Sequence, residues 1–376
     1  MRPSSAQLND VLRSPHNLTY AADLFYDGRR LFEGLPITDP SFSWDAGAEV
    51  EASGRLTVTW SDDYGSSLRP DEPQDWLAPF GSRLVVYALV HDGVAVERVQ
   101  LGDYCITSVP SVNSSTFVFN ETRVTVGDVV ELELKDRMVE VQRDRFTRLE
   151  QPAVGGSIWD EVTKLAGLQV TRAVPDGRVT ATVVYNESKT EAIQDLLGVI
   201  DAVPFMEWDG TLSARPRQSP NASGVLRVGA DGTVTQIGAG LDADGVYNGV
   251  VIRAETSGQT QVLAEKWVES GPLRATRDGG VRTPFHRRPR FYSNPNITTV
   301  AQAQAAIDAL LATYSQPRAS ELQVQCIADP TLQVGDVRTV DDEQTVWTIR
   351  VTRVDLGSSP TMSVKGDVLN RVVKFN

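Results

Sequence analysis

Val126-Gly127-Asp128-Val129 recurs as Val334-Gly335-Asp336-Val337, and each copy stands ahead of a strand-like run. After the first copy come Val129-Val130-Glu131-Leu132-Glu133-Leu134, a Lys135-Asp136 turn and the alternating Met138-Val139-Glu140-Val141-Gln142-Arg143. After the second come Arg338-Thr339-Val340, the polar turn Asp341-Asp342-Glu343-Gln344 and a long alternation from Val346 to Val354. Glycine supplies the positive φ of a tight turn, aspartate closes an Asx-turn, and the valines suit a half-buried pleated surface. The pattern predicts two related β-units in one chain.

Strand follows strand from residue 18 to residue 149. Leu24-Phe25-Tyr26 runs into Asp27-Gly28, a strong hairpin turn, and Arg30-Leu31-Phe32 returns. Ser41-Phe42-Ser43-Trp44, Leu56-Thr57-Val58-Thr59-Trp60 and Leu84-Val85-Val86-Tyr87-Ala88-Leu89-Val90 continue the series, and Asp92-Gly93 starts a further hairpin. Residues 61–82 form a long, acidic, proline- and glycine-containing insertion with Trp76, a candidate contact surface. Residues 1–17 read as a polar arm that only Leu8, Val11 and Leu12 can anchor.

The period changes in residues 150–223. Ser157 with Asp160 is a helix start, Ile158, Val162 and Leu165 make its buried face, and Gly167 ends it. Ser188-Lys189-Thr190-Glu191 opens a second helix whose stripe is Ile193, Leu196, Leu197 and Ile200. Residues 179–185 alternate as a strand, and Phe205-Met206-Glu207-Trp208, Asp209-Gly210 and Thr211-Leu212-Ser213-Ala214 read as a closing hairpin, which together predict a small α+β domain. Phe205, Met206 and Trp208 read as core.

A second β-unit is predicted from residues 224–254 and 318–376, split by an insertion at 255–317. In that insertion Thr299 with Gln302 offers a capping box for a helix faced by Val300, Ala303, Ile307, Leu310, Leu311 and Tyr314. The predicted fold class is therefore mainly β with α+β parts.

At 376 residues and 41% hydrophobic content the chain can fill two or three domains. A net charge of −13 argues against a sequence-reading nucleic-acid binder, although DNA can still be a passenger. Cys105 and Cys326 have no ligand-spaced Cys or His and read as small core residues. No run approaches the ~20 apolar residues of a membrane span, and Met1-Arg2-Pro3-Ser4-Ser5 opens no signal peptide, so a soluble protein made in a reducing cytoplasm is expected.

Catalytic chemistry has little footing. Asp62-Asp63, Asp242 with Asp244, and Asp341-Asp342-Glu343 could supply the facing carboxylates of a glycosidase, but their surroundings are those of turn residues. His16, His91 and His286 lack metal-ligand spacing, and no nucleophile elbow or phosphate loop occurs. No catalytic, metal or cofactor-binding residue is predicted. Arg282, His286, Arg287, Arg288 and Arg290, interleaved with Phe285, Phe291 and Tyr292, resemble an anion patch. Pairing with acids of a neighbouring subunit or domain is the favoured reading. Trp60, Trp76 and Trp208, the candidates for a glycan-binding face, do not cluster in sequence.

Two β-barrels, a helix-containing domain between them and an insertion splitting the second resemble the gene-27-like tail hub proteins of phage baseplates and siphophage tail tips. The run from Leu24 to Gly34 is similar to the opening hub hairpin, Lys135-Asp136-Arg137-Met138 to the exit from the first barrel, and Ser157 to Gly167 to the helix that follows. Arg288-Pro289-Arg290-Phe291-Tyr292 before the helix from Val300 to Tyr314 looks like minor tail proteins of phages infecting actinobacteria. The resemblance implies two tail-tube-like barrels per chain and a homotrimer whose pseudo-sixfold ring surrounds the DNA-ejection channel. It implies a virion protein assembled in the host cytoplasm, with distal tail, tape-measure and other tail-tip or fibre proteins as partners. The alternative is a tail-associated protein that binds or hydrolyses cell-wall glycan.

Overall fold

A computed structural model describes residues 2, 5–12, 16–61, 67–93, 96–119, 122–179, 184–217, 222–229, 232–240, 246–256, 259–276, 283–293, 299–315 and 321–374. It is mainly β, as the alternation in the sequence requires. The arm carries a short helix, α1 (Ala6–Val11), capped by Ser5 and anchored by buried Leu8 and Val11. Six strands follow: β1 (Asn17–Tyr26), β2 (Arg29–Asp45), β3 (Ala52–Trp60), β4 (Arg83–His91), β5 (Val96–Phe119) and β6 (Thr122–Asp136). They pair in the order β1-β4-β5-β6-β3-β2, and β1 pairs back onto β2, which closes them into a barrel. The period-2 pattern fills it, because Leu56, Val58, Leu84, Val86, Ala88, Val90, Val130 and Leu132 are all fully buried. Each such Leu or Val side chain contributes roughly 1.5–3 kcal/mol on burial. Asp27 and Gly28 both take positive φ in the β1–β2 turn, the geometry that two-residue hairpins favour.

The chain leaves the barrel through α2 (Met138–Arg143), where the sequence pattern predicts a strand. Asp136 accepts the Met138 N–H and starts a helical turn, whose Met138, Val139 and Val141 are all buried in the core of the α+β domain. Helices α3 (Ile158–Ala166) and α4 (Lys189–Gly198) start at Ser157 and Ser188, whose hydroxyls accept the Asp160 and Glu191 N–H groups, and Gly167 ends α3 in the left-handed region. With β7 (Ala202–Met206) and β8 (Leu212–Pro216) they enclose a core around Trp159, Ile193 and Leu197. Of the strand expected at 179–185, residues 180–183 lie outside the described residues, and Tyr185 makes an isolated bridge to Glu150.

Strands β9 (Val225–Arg227) and β10 (Val234–Ala239) come next. The described chain forms two compact units, and the second, Gly238–Leu322, contains β11 (Gly249–Thr256), β12 (Gln259–Trp267), β13 (Pro289–Ser293) and α5 (Val300–Tyr314). Thr299 and Gln302 form the expected capping box. The segment from Gly249 to Ala254, expected in the second β-unit, instead pairs with β12 and β13, and Val250 and Ile252 pack against Ala303 and Ile307 of α5. Its nearest hairpin partner wins because local closure costs the least chain entropy.

The chain then returns as β14 (Glu321–Ile327), β15 (Val337–Asp341), β16 (Thr345–Gly357) and β17 (Thr361–Val373). These strands and the earlier pair run in the order β9-β15-β16-β17-β14-β10. Numbered within each set, both orders read first, fourth, fifth, sixth, third, second. The likeness reaches single residues. The β5–β6 ladder slips between Ile106 and Ser108, and the β16–β17 ladder slips between Val351 and Arg353. Ile106 donates its N–H to the Ser82 carbonyl at 3.1 Å, and Val351 donates to the Asp336 carbonyl at 2.8 Å. A glycine with positive φ precedes each acceptor, Gly81 at 114° and Gly335 at 89°. One departure is that β9 runs parallel to β15, whereas β1 runs antiparallel to β4.

Phe80-Gly81-Ser82-Arg83 is therefore the counterpart of Val334-Gly335-Asp336-Val337. The repeat at Val126-Gly127-Asp128-Val129 lies inside β6, and Gly127 does not take positive φ there. Asp128 is buried and accepts from the Ser67 hydroxyl at 2.6 Å and the Leu68 N–H at 2.8 Å, so it anchors the 61–82 insertion rather than closing a turn. Among the described residues no helix is long and apolar enough to cross a membrane.

The matched glycines make a testable pair. Gly81→Ala and Gly335→Ala should each cost roughly 1–3 kcal/mol, because an L side chain is strained at these φ values. At Gly335 an added Cβ would also meet Arg215 Cδ at 2.7 Å. Urea unfolding of the two variants measures the loss, and wild-type stability in either would remove the glycine from the matched turn.

Candidate assembly interface

Strand β16 is longer than the neighbour it pairs with. Its residues Val346 to Arg350 pair with β15, and Arg353 to Gly357, on the same edge, pair antiparallel with Ser41 to Asp45 of β2. This ladder joins the two β-units. Ala46 extends it by donating its N–H to the Thr352 carbonyl at 2.9 Å, and the Tyr20 hydroxyl donates to the Gly357 carbonyl at 2.6 Å. Phe42, Trp44, Val354 and Leu356 are all buried along it. The Phe42 ring lies directly over Gly54, where any Cβ would collide with it at 2.7 Å, so that glycine is required by close approach. The exposed pair Arg353–Asp45, 3.5 Å apart, adds little.

Ionisable groups are buried or half-buried beside the ladder. Arg2 is 4% exposed, and its guanidinium stacks on Trp44 at 4.5 Å and donates to the Pro330 and Leu332 carbonyls at 2.8 and 2.9 Å. Burial pulls its pKa below the usual arginine value. Asp136 accepts from the Ala52 N–H at 2.7 Å and the Met138 N–H at 2.9 Å. Arg215 on β8 donates to Glu51 at 3.2 Å and to the Val334 carbonyl at 3.1 Å, tying the α+β domain to both β-units. A cleft of about 430 Å³ opens next to these groups, lined by Glu49, Glu51, Arg215, Arg217 and Arg350 among others. Among the described residues no group of His, Cys, Asp or Glu could hold a metal ion.

The residues weighed for chemistry are placed apart. Asp341 accepts the Glu343 N–H and the Lys374 ammonium, and Asp342 accepts the Gln344 and Thr345 N–H groups, so both close the β15–β16 turn. Asp62, Asp63, Asp242, Asp244 and Arg282 lie outside the described residues. His91 bonds the Thr19 hydroxyl at 2.7 Å at the end of β4. Both cysteines are buried; burial raises each thiol, that of Cys326 to about 12, which makes them poor nucleophiles. In the second unit Arg287 stacks on Trp267, Arg288 on Phe285, and Arg290 on Tyr247 and Tyr314. The basic segment thus covers the aromatic rings of its own unit.

Two features escape a linear reading. Trp60 and Trp76, distant in sequence, both meet Phe32, with centroids 4.8 and 6.4 Å away, and Trp76 is 43% exposed. The described part of the insertion is packed, since Leu68, Leu77 and Ala78 are buried. The second feature is the β5–β6 hairpin. Beyond Ile106, β5 has β6 on one edge and no strand on the other among the described residues, and Phe117 and Val118 are exposed on it. Its serine-rich run, Ser108 to Thr116, has too few apolar residues to announce a strand.

No family model and no curated protein matches the sequence. The fold has matches among solved structures. A tail protein from Neisseria meningitidis MC58 superposes with a TM-score of 0.56 at 13% identity, covering 93% of this chain and 96% of that one. The 43 kDa tail protein of prophage MuSo2 from Shewanella oneidensis gives a TM-score of 0.56 at 10% identity, covering 93% and 97%. The chain has the fold of these phage tail proteins over nearly its whole length.

Asp136 gives the junction a pH signature. Burial pushes its carboxyl up to about 7 against the pull of two amide donors. Between about pH 4 and 7 the folded protein therefore holds a proton that an unfolded aspartate, titrating near ~3.9, has released. This contribution to stability is full at the acid end of that window and falls as pH rises through it, by on the order of 4 kcal/mol. Asp136→Asn cannot ionise, so the stability difference between wild type and variant should shift in the variant's favour with rising pH. Urea midpoints across the window measure it, and parallel profiles would contradict the assignment.

Proposed function

We propose that this chain is a non-enzymatic structural component of a phage tail tip or baseplate, a hub that forms a trimeric ring. In this reading each protomer contributes two tail-tube-like β-units, so three copies present six around the channel through which DNA leaves. The observation that carries it is the repeated strand order, down to the matched bulges and glycine turns, in a chain with the fold of tail proteins. Two similar units joined edge to edge are the natural element of a closed ring with twice as many units as chains. The ring would join the tail tube or distal tail protein to the threefold tip, with tape-measure and fibre proteins as further partners. A net charge of −13 suits a conduit, since cations lining the bore would hold passing phosphates.

A second reading, binding of cell-wall glycan, draws on the Phe32, Trp60 and Trp76 group with its exposed indole. A glycan array separates it from the hub reading. The hub reading is tested by copy number in a reconstruction of the particle. Three copies at the tail tip are expected, and six would contradict it.

A further inference from the structure

The ladder between β2 and β16 has an unfilled counterpart. β2 is the second strand of its set and β16 the fifth, and their counterparts are β10 and β5. Both of these have an open edge among the described residues. β10 pairs only with β14, and β5 beyond Ile106 pairs only with β6. We infer that β10 of one copy adds antiparallel to the outer edge of β5, from Ser111 onward, in a second copy. This rests on the ring reading and names the contact that would close the ring.

The match is local as well as topological. β4 ends beside Cys105 as β15 ends beside Arg350, the ladder slips immediately afterwards in both, and the freed edge begins at Ser108 as it does at Arg353. In β16 that freed edge is the one β2 covers. In β5 one more residue is accommodated around Pro110, where the register slips again before Ser111, so the missing proline N–H falls at an irregularity rather than in the ladder.

Composition points the same way. Soluble proteins guard open edges with charge, most often lysine. From Ser108 to Phe119 there is no charged residue, and none from Val234 to Ala239. From Ser115 on, where β3 no longer backs β6, the hairpin is a two-stranded ribbon, and such a ribbon standing alone is marginal in water. Phe117 and Val118, 50% and 71% exposed, add apolar surface near its tip. A second copy is the occupant that the chain itself specifies, because β2 on β16 already shows the same kind of edge accepting the same kind of strand.

Disulfide trapping tests the seam. Chains carrying Gln236→Cys are mixed at high concentration with separately tagged chains carrying Asn113→Cys or Ser111→Cys, and with Gln74→Cys chains as an exposed control. Light scattering reports assembly in parallel. Covalent dimers joining the two tags are expected for Asn113→Cys or Ser111→Cys at a yield at least tenfold above the control. A trimer without these cross-links would overturn the seam and leave the ring standing. Absence of both cross-link and trimer would overturn the two together.

Discussion

The backbone of β16 past Arg350 must find hydrogen-bond partners, and β15 has ended. Buried amides left without partners are rare in native structures because each costs as much as a lost hydrogen bond. β2 meets the demand by running on after its pairing with β1, so one long strand belongs to the barrel in its first half and to the seam in its second. Much of the junction follows from that sharing. Phe42 and Trp44 turn into the seam, Gly54 must lack a side chain beneath Phe42, and the α+β domain is held against both units through Arg215.

The ionisable groups at the junction are better read as position markers than as sources of stability. Desolvating a buried charge costs several kcal/mol, and attraction to a partner roughly offsets that cost. What Arg2 and the half-buried Arg215–Glu51 pair do contribute is uniqueness, because displacing either strands a desolvated charge. Arg2 donates to two carbonyls of the turn before β15 while stacking on Trp44 of β2, so a shift of either unit would break its contacts, and Asp136 accepts amides from β3 and α2 and fixes the barrel exit.

Local chemistry was legible in the sequence where a single residue decides it. Ser157, Gly167, Ser188, Thr299 with Gln302, and Asp27-Gly28 all act as their types predict, since caps and turns depend on neighbours a few residues away. Partnership between distant strands was not legible. The four-residue repeat pointed to two β-units by joining a strand interior at Val126 to a turn at Val334, while the related turn at Phe80-Gly81-Ser82-Arg83 shares only its glycine with the second copy. Gly249 to Ala254 reads as a strand in any sheet, and its membership is set by β12 and α5. The serine-rich extension of β5 carries a β-ladder without the apolar alternation that marks a core-facing strand.

The central claim is that the two β-units are successive members of one ring. A closed ring of six requires a rotation of about 60° between neighbouring members, with almost no translation along the axis. An experimental structure of the full chain provides that operator directly, by superposing β1 to β6 on their counterparts in the second set through the matched positions Ile106 and Val351, and Gly81 and Gly335. A rotation near 60° about a single axis is the result expected. A rotation near a half turn, or one coupled to a large translation that would build a filament, would contradict the account.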